Sequence, residues 1–315
     1  MSNLRVATNS VQESLIRQLN TNQRALVELQ KQLSSGRRVS LPEDDPTVMG
    51  RTIRRQAQKS VLSQYHTNNV IAEGVVKTSQ LHLDEIRSMA DLALGISDST
   101  GGDSSSVEID GFKRQLDEIL DQALDLANGQ LDGEYLFSGV EYGSKPYTIN
   151  DGGTPNDPSD DTIDYNGSPT NRTDPNFDEA ETYVGTNTKL AARLNPEHNE
   201  DIRNMLQNLL DMRNAYDTSI APFDAANVRA IASNIEAADD KLVVASSDLI
   251  TKQMRLDMAT KADSSFFNQL DESIASEVGA DITNLAVQIK QTETSYQAAL
   301  VSASNILNIS LLDYV

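Results

Sequence analysis

The chain has 315 residues, no cysteine, no tryptophan and a net charge of −21. Its length supports two or three domains with ordinary cores, and the missing cysteine excludes disulfides, thiolate nucleophiles and sulfur-ligated metals, as suits a protein that crosses between reducing and oxidising compartments. The acidic balance disfavours nucleic acid as a partner, because phosphate binding needs a basic surface. Charge is uneven, however: residues 1 to 60 hold ten Lys or Arg against five Asp or Glu, leaving −26 on the rest. An acidic body with a basic N-terminal arm is expected to find its partners through its ends. Met1 to Ser10 lack the apolar core of a secretory signal, and no run approaches the roughly 20 apolar residues that span a bilayer. The expectation is therefore no membrane partner and, if the chain leaves the cell, export without signal cleavage.

Taken in chain order, Val11, Leu15, Leu19, Asn22, Leu26, Leu29 and Leu33 recur at spacings of three and four and predict a first helix with one apolar stripe. The joint that follows, Leu33 to Ile53, reads as helix end and helix start. Gly36 can take a left-handed conformation, Arg37 and Arg38 suit a helix C-terminus, and Pro46 can open the next helix behind a cap at Asp44 or Asp45. No proline occurs from Thr47 to Lys145, so this stretch is a natural helical arm. Ile71, Val75, Met89, Leu92 and Ile96 carry its period, Ser99 to Ser106 break it, and a second helix from near Ser106 carries Glu108, Leu116, Leu120, Ala123 and Ala127.

From about Gly133 to Thr188 the sequence holds five of the nine tyrosines and many Gly, Asn and Asp residues, which predicts a small β-rich insert with long turns. A disordered loop is the rival for Asn150 to Asn176. The second arm opens with Ile202, Met205, Leu209, Met212 and Tyr216. From Val228, the series Ile231, Ile235, Ala238, Leu242, Ala245, Leu249, Lys252, Leu256, Ala259, Asp263, Phe266 and Leu270 alternates three and four throughout. Ile274, Val278 and Ile282 then follow by steps of four, a stutter that predicts a change of packing partner and a domain boundary softened by Gly279. The last stripe is Ile282, Leu285, Ile289, Thr292, Tyr296, Ala299, Ala303 and Ile306, with Leu311 beyond it.

The expected fold is mainly α: an antiparallel helical bundle and a terminal coiled coil forming an elongated rod, with a small β-rich central insert. The expected domains are a terminal assembly domain (1–42 and 280–315), a bundle (43–135 and 190–279) and an outer insert (136–189). Each end stripe is too narrow to form a core alone, so Val11, Leu15, Leu19, Leu26, Leu29, Leu33, Ile282, Leu285, Ile289, Tyr296, Ala299, Ala303, Ile306 and Leu311 form the candidate assembly interface. The ends are expected to order on assembly, with Leu311→Asp or Ile306→Asp blocking incorporation.

Other chemistry is sparse. His66 and His82 lie sixteen residues apart and His198 stands alone, so they read as solvated helix histidines rather than ligands. Asp151, Asp157, Asp160, Asp161 and Asp164 lack the spacing of a calcium loop. The sequons at Asn166 and Asn171 are short patterns. Adjacent pairs such as Asp239 and Asp240 or Asp160 and Asp161 have no accompanying nucleophile or phosphate loop. No catalysis, metal or cofactor is expected, and Lys252 within the long stripe is expected to set helix register by snorkelling or pairing.

Three stretches carry a resemblance. LSSGRRVSLPEDDPTVMGRTI (Leu33 to Ile53), with Gly36 and Arg37 in an S-S-G-K/R-R joint, resembles the N-terminal signature of the flagellin superfamily, and Pro42, Glu43, Asp44, Asp45 and Pro46 within it are similar to the P-x-D-D-P form of its hook-filament junction family, hook-associated protein 3. GEYLFSG (Gly133 to Gly139) and YQAALVSASNILNISLLDYV (Tyr296 to Val315) resemble that family's variable-domain entrance and closing helix. The resemblance implies a non-enzymatic subunit of a helical tube at the extracellular hook-filament junction, with paired end helices innermost and the insert outermost. It implies as partners hook-associated protein 1, flagellin, copies of itself in a ring-like layer and a flagellar export chaperone, with export through the flagellar type III apparatus. Flagellin itself is the alternative; a coiled-coil binding module of another secretion system and an enzyme on a helical stalk are further rivals.

Overall fold

Long runs without proline become long helices. The computed structural model describes residues 2–101, 105–153, 160–174 and 178–312, with side chains between residues 13 and 304. Among the described residues the elements run α1 (Ser2–Ser35), α2 (Pro46–Ser99), α3 (Ser106–Ala127), β1 (Gln130–Leu131), β2 (Glu134–Tyr135), β3 (Tyr147–Asn150), β4 (Thr162–Tyr165), β5 (Glu181–Gly185), β6 (Thr188–Ala191), α4 (Pro196–Ala215), α5 (Ala225–Val278) and α6 (Ile282–Leu312). The chain divides into unit 1, residues 1–61 and 266–315, and unit 2, residues 62–265.

Unit 2 holds the large core. Along α5, Val228, Ile231, Ile235, Ala238, Leu242, Ala245, Leu249, Lys252 and Leu256 are all buried, whereas Ala259 and Asp263 are half-buried. The long stripe is thus a seam over its first two thirds. Its partner on α2 runs from Asn69 through Ala72, Val76, Ser79, Leu83, Ile86, Ala90, Ala93 and Ser97, again at threes and fours, with Leu62 a heptad earlier. The stripe expected on α2 holds at Ile96, which is buried, and at Val75 and Met89, which pack against the core, but Ile71 and Leu92 are exposed, at 61% and 55%, because the inward face there uses the small residues one position further on, Ala72 and Ala93. Arg87 on α2 holds Asp239 on α5 by two hydrogen bonds of 2.7 and 3.0 Å, and Asn69 Nδ2 donates to Asp263 Oδ2 at 3.3 Å. Lys252 does not snorkel. Its Nζ donates to the Arg193 carbonyl at 2.6 Å and pairs with Asp248 at 3.0 Å, so the buried cation is satisfied.

The helix α3 starts on a capping box, with Ser105 accepting from the Glu108 amide while the Glu108 side chain takes the Ser105 amide. Its other end is tied to the insert: Asn128 Nδ2 donates to the Tyr147 carbonyl and Asn128 Oδ1 accepts from the Tyr147 amide, both at 3.0 Å. The six strands form three separate antiparallel pairs, β1 with β2, β3 with β4 and β5 with β6. In the first, Asp132 and Gly133 supply the two positive φ angles, 53° and 85°, of a two-residue hairpin turn. The strands do not make a core of their own. Tyr147, Ile163, Val184, Leu190 and Leu194 are buried in one cluster with the helices. Tyr147 Oη donates to the Asn199 carbonyl at 2.9 Å, and Asn199 Nδ2 donates to Tyr165 Oη at 2.8 Å. Burial pushes the Tyr147 phenol well above its ordinary value and the Tyr165 phenol up to about 12, so both stay neutral hydrogen-bonding groups. The segments 154–159 and 175–177, and with them Asp157, lie outside the described residues.

Candidate assembly interface

The end helices meet in unit 1, antiparallel, with Ala25, Glu28 and Leu29 beside Gln288, Gln291 and Thr292. Among the described stripe residues Leu285 alone is buried. Leu15, Leu19, Leu26, Leu29, Ile289, Tyr296, Ala299 and Ala303 are half-buried, while Leu33 and Ile282 are exposed. The side chains of Val11, Ile306 and Leu311 lie outside the described residues. Two helices can cover only one face of each other, so the outward faces keep apolar side chains in water: Ile16 and Val27 on α1, Val287, Leu300 and Val301 on α6.

The joint between α1 and α2 is built on the end of α5. Gly36 takes φ +67° and ends α1, a left-handed turn that a Cβ would strain. The chain then pairs with residues 278–280: the Arg38 amide donates to the Val278 carbonyl at 2.7 Å, and the Ala280 amide donates to the Gly36 carbonyl at 3.0 Å. Arg38 Nη2 donates to the Glu277 carbonyl at 3.1 Å, so this cation serves the C-terminus of α5 rather than that of its own preceding helix. Val39, Val48 and Val278 close a small apolar cluster beneath.

Both aspartates of the P-x-D-D-P stretch have separate tasks. Asp44 Oδ2 accepts from the Ser40 and Leu41 amides at 2.9 and 2.8 Å, which holds the turn through Pro42. Asp45 Oδ1 accepts from the Thr47 and Val48 amides at 3.1 and 3.0 Å, capping α2 with Pro46 as its first residue. Amide donors, Leu41 first and then Ser40, hold the Asp44 carboxyl below its usual value. Further along, Glu277 sits between Arg51 and Arg55, with contacts of 3.1 and 2.6 Å. The Arg55 hydrogen bond first, and Arg51 after it, keep the Glu277 carboxyl low. Lys59 pairs with Asp271 and lies 4.3 Å from the Phe267 ring centre.

The stutter at 270–282 has a different origin from the one expected. Helix α5 stops at Val278, and α6 starts anew at Ile282 behind Asp281, whose Oδ1 accepts from the Thr283 and Asn284 amides at 3.0 Å each. Three steps of four span a break, not an unwound supercoil. The clamp on Glu277 was missed altogether, since its partners are 226 and 222 residues away in sequence. The available signal is three like charges four apart on α2, Arg51, Arg55 and Lys59, which would repel one another on a helix unless acids from elsewhere met them.

The remaining candidates are scattered. His66 is exposed, but His82 and His198 are half-buried: His82 Nδ1 lies 3.0 Å from the Leu126 carbonyl and His198 Nδ1 3.1 Å from Asp201. Asp161 pairs with Arg213 at 3.5 Å, and Asp164 accepts from Asn150 at 2.8 Å. Among the described residues no group of three His, Asp or Glu is placed to hold a metal ion, and no helix is long and apolar enough to cross a membrane.

The profile of the bacterial flagellin N-terminal helical region matches residues 6–141. No curated protein matches the sequence. Among solved structures the chain is similar to a Vibrio parahaemolyticus protein described as flagellar hook-associated, with a TM-score of 0.63 and 17% identity over 75% of this chain and 100% of that one. It is similar also to FlgL of Bacillus cereus, with a TM-score of 0.56 and 14% identity over 70% and 99% of the two chains. Residues 6–141 are therefore similar to the flagellin N-terminal helical region, and three quarters of the chain shares the fold of a protein described as flagellar hook-associated.

Proposed function

We propose that this chain is a non-enzymatic structural subunit of the bacterial flagellum, a junction adaptor that joins hook-associated protein 1 to the flagellin filament and packs beside copies of itself in a ring-like layer. The observation that carries this reading is the incomplete burial of the end-helix pair. A seam whose stripe is only half-buried, with Ile16, Val27, Val287, Leu300 and Val301 facing outward, gains further burial only from neighbours. In this reading residues 1–42 and 280–315 form the assembly domain, 43–135 and 190–279 the bundle and 136–189 the insert. Export runs through the flagellar type III apparatus with a dedicated chaperone, without cleavage.

The test uses outward positions, whose substitution leaves the monomer's own seam alone. Val301→Asp together with Val287→Asp is expected to leave the circular dichroism spectrum unchanged while reducing incorporation at hook tips at least tenfold. Normal motility and normal junctions with this variant would remove the α6 face as the contact. A second reading, a flagellin filament subunit, is favoured by the profile match over residues 6–141. Seeding purified protein on hooks separates the two: a layer that stops growing supports the adaptor, and long filaments support flagellin.

A further inference from the structure

Charge is divided between the two units sharply. Unit 1 contains eleven Lys or Arg and eleven Asp or Glu and is neutral, whereas unit 2 contains fifteen against thirty-six and carries the entire −21. The neutrality of unit 1 is a balance of opposites, because residues 1–61 sum to +5 and residues 266–315 to −5. Part of that balance is already spent inside the unit, on Arg51 and Arg55 with Glu277 and on Lys59 with Asp271. Unit 2 instead presents exposed acids along its helices, among them Glu118, Asp121, Asp125 and Glu236.

We propose that copies of this chain touch through unit 1 while their acidic units 2 repel one another, so that ionic strength gates the association. This rests on the assembly reading above and adds the sign of its salt dependence and the residues that set it. The occupant of the outward α1 and α6 faces is a second copy. A neutral body packed against a copy of itself adds no net repulsion at the contact, and the internal pairing of Arg51, Arg55 and Lys59 leaves its apolar outward faces as the holding contact, so the charge penalty of association falls on units 2. The repulsion between units 2 grows with the product of their charges and reaches as far as salt allows. The screening length is about 8 Å at 0.15 M salt and about 30 Å at 0.01 M, so dilute salt lets neighbouring acidic bodies oppose each other and physiological salt hides them. Apolar contacts between the end helices are little affected over that range. A junction held mainly by ion pairs would have the opposite response, tightening as salt is removed.

The full-length chain is added to isolated hooks capped with hook-associated protein 1, and bound protein is measured by sedimentation from about 0.01 to about 0.15 M sodium chloride, the range over which screening changes most. Binding at the low end is expected to be at least tenfold weaker. The variant Glu118→Lys, Asp121→Lys, Asp125→Lys, Glu236→Lys moves unit 2 from −21 to −13, two charges per substitution, and is expected to lose most of that penalty while binding as the wild type does at the high end. Tighter binding in dilute salt, or a variant that keeps the full penalty, overturns the proposal and leaves the assembly reading standing. Binding at no salt concentration overturns both. Should the variant fail to fold, the wild-type titration still decides the sign.

Discussion

In unit 2 the α5 stripe from Val228 to Leu256 is shut against other elements, with no residue more than 9% exposed, while in unit 1 the stripes of α1 and α6 include one buried residue, Leu285, among those described. The sequence pattern is of one kind in both. What differs is the number of neighbours: in unit 2 α5 is buried in a single cluster with α2, α3, α4 and the strands, whereas among the described residues α1 packs chiefly on α6. Apolar spacing therefore says where a helix can be buried, and the count of surrounding elements says how far burial goes.

The comparison breaks most visibly under truncation of the two seams. Leu242→Ala, in unit 2 at 0% exposure, is expected to lower the free energy of unfolding by about 2–5 kcal/mol, and Leu26→Ala, half-buried on α1, by about 1 kcal/mol or less in the monomer. Urea unfolding of both variants measures this, and equal losses would show that the monomer's end helices are as well packed as its core. Next in size is Lys252→Ala, which leaves the Arg193 carbonyl and Asp248 without their cation and is expected to cost about 1–3 kcal/mol, with no counterpart in unit 1. A neutral result would mean that water replaces the amine.

The smallest effect concerns pH and sets Asp44 and Glu277 of unit 1 against Asp263 of unit 2. Asp44 and Glu277 in unit 1 have lowered carboxyl values, so their contribution is complete above the ordinary values of 3.8 and 4.5 and is lost as pH falls through the lowered ones. Asp263 in unit 2 is raised, chiefly by burial, so it favours the folded state below 3.8 and the benefit is lost as pH rises through the raised value. Carboxyl chemical shifts followed from pH 2 to pH 6 are expected to place Asp263 above Asp44; the reverse order would contradict the hydrogen bonds described for Ser40 and Leu41.

Much of this was readable from the sequence where apolar residues mark the buried face. The α5 seam, the α3 series from Leu116 to Ala127 and the helix start at Pro46 all follow from spacing and capping chemistry. The inward face of α2 did not stand out, because Asn69, Ala72, Ser79, Ala90, Ala93 and Ser97 occupy it while larger apolar residues lie outside. Small residues let two helices approach closely, and hydropathy undervalues them. The division of labour between Asp44 and Asp45 was half legible, since either could cap α2, and only the turn through Pro42 assigns them. The clamp at Glu277 and the Tyr147, Tyr165 and Asn199 set were hidden for another reason: their partners are brought together by the fold and are far apart in the chain.

That distance gives Glu277 a role in timing. The contact of Arg51 with Glu277 closes a loop of 226 residues, and closing so long a loop carries an entropic cost that is lower once the intervening chain is already folded. Unit 2 lies wholly inside the loop, so it can form first and bring both ends near each other. The joint then works as a completion check: a copy shortened before Glu277 has no carboxylate for Arg51 and Arg55 and no Val278 beneath Val39 and Val48, and so cannot close the joint.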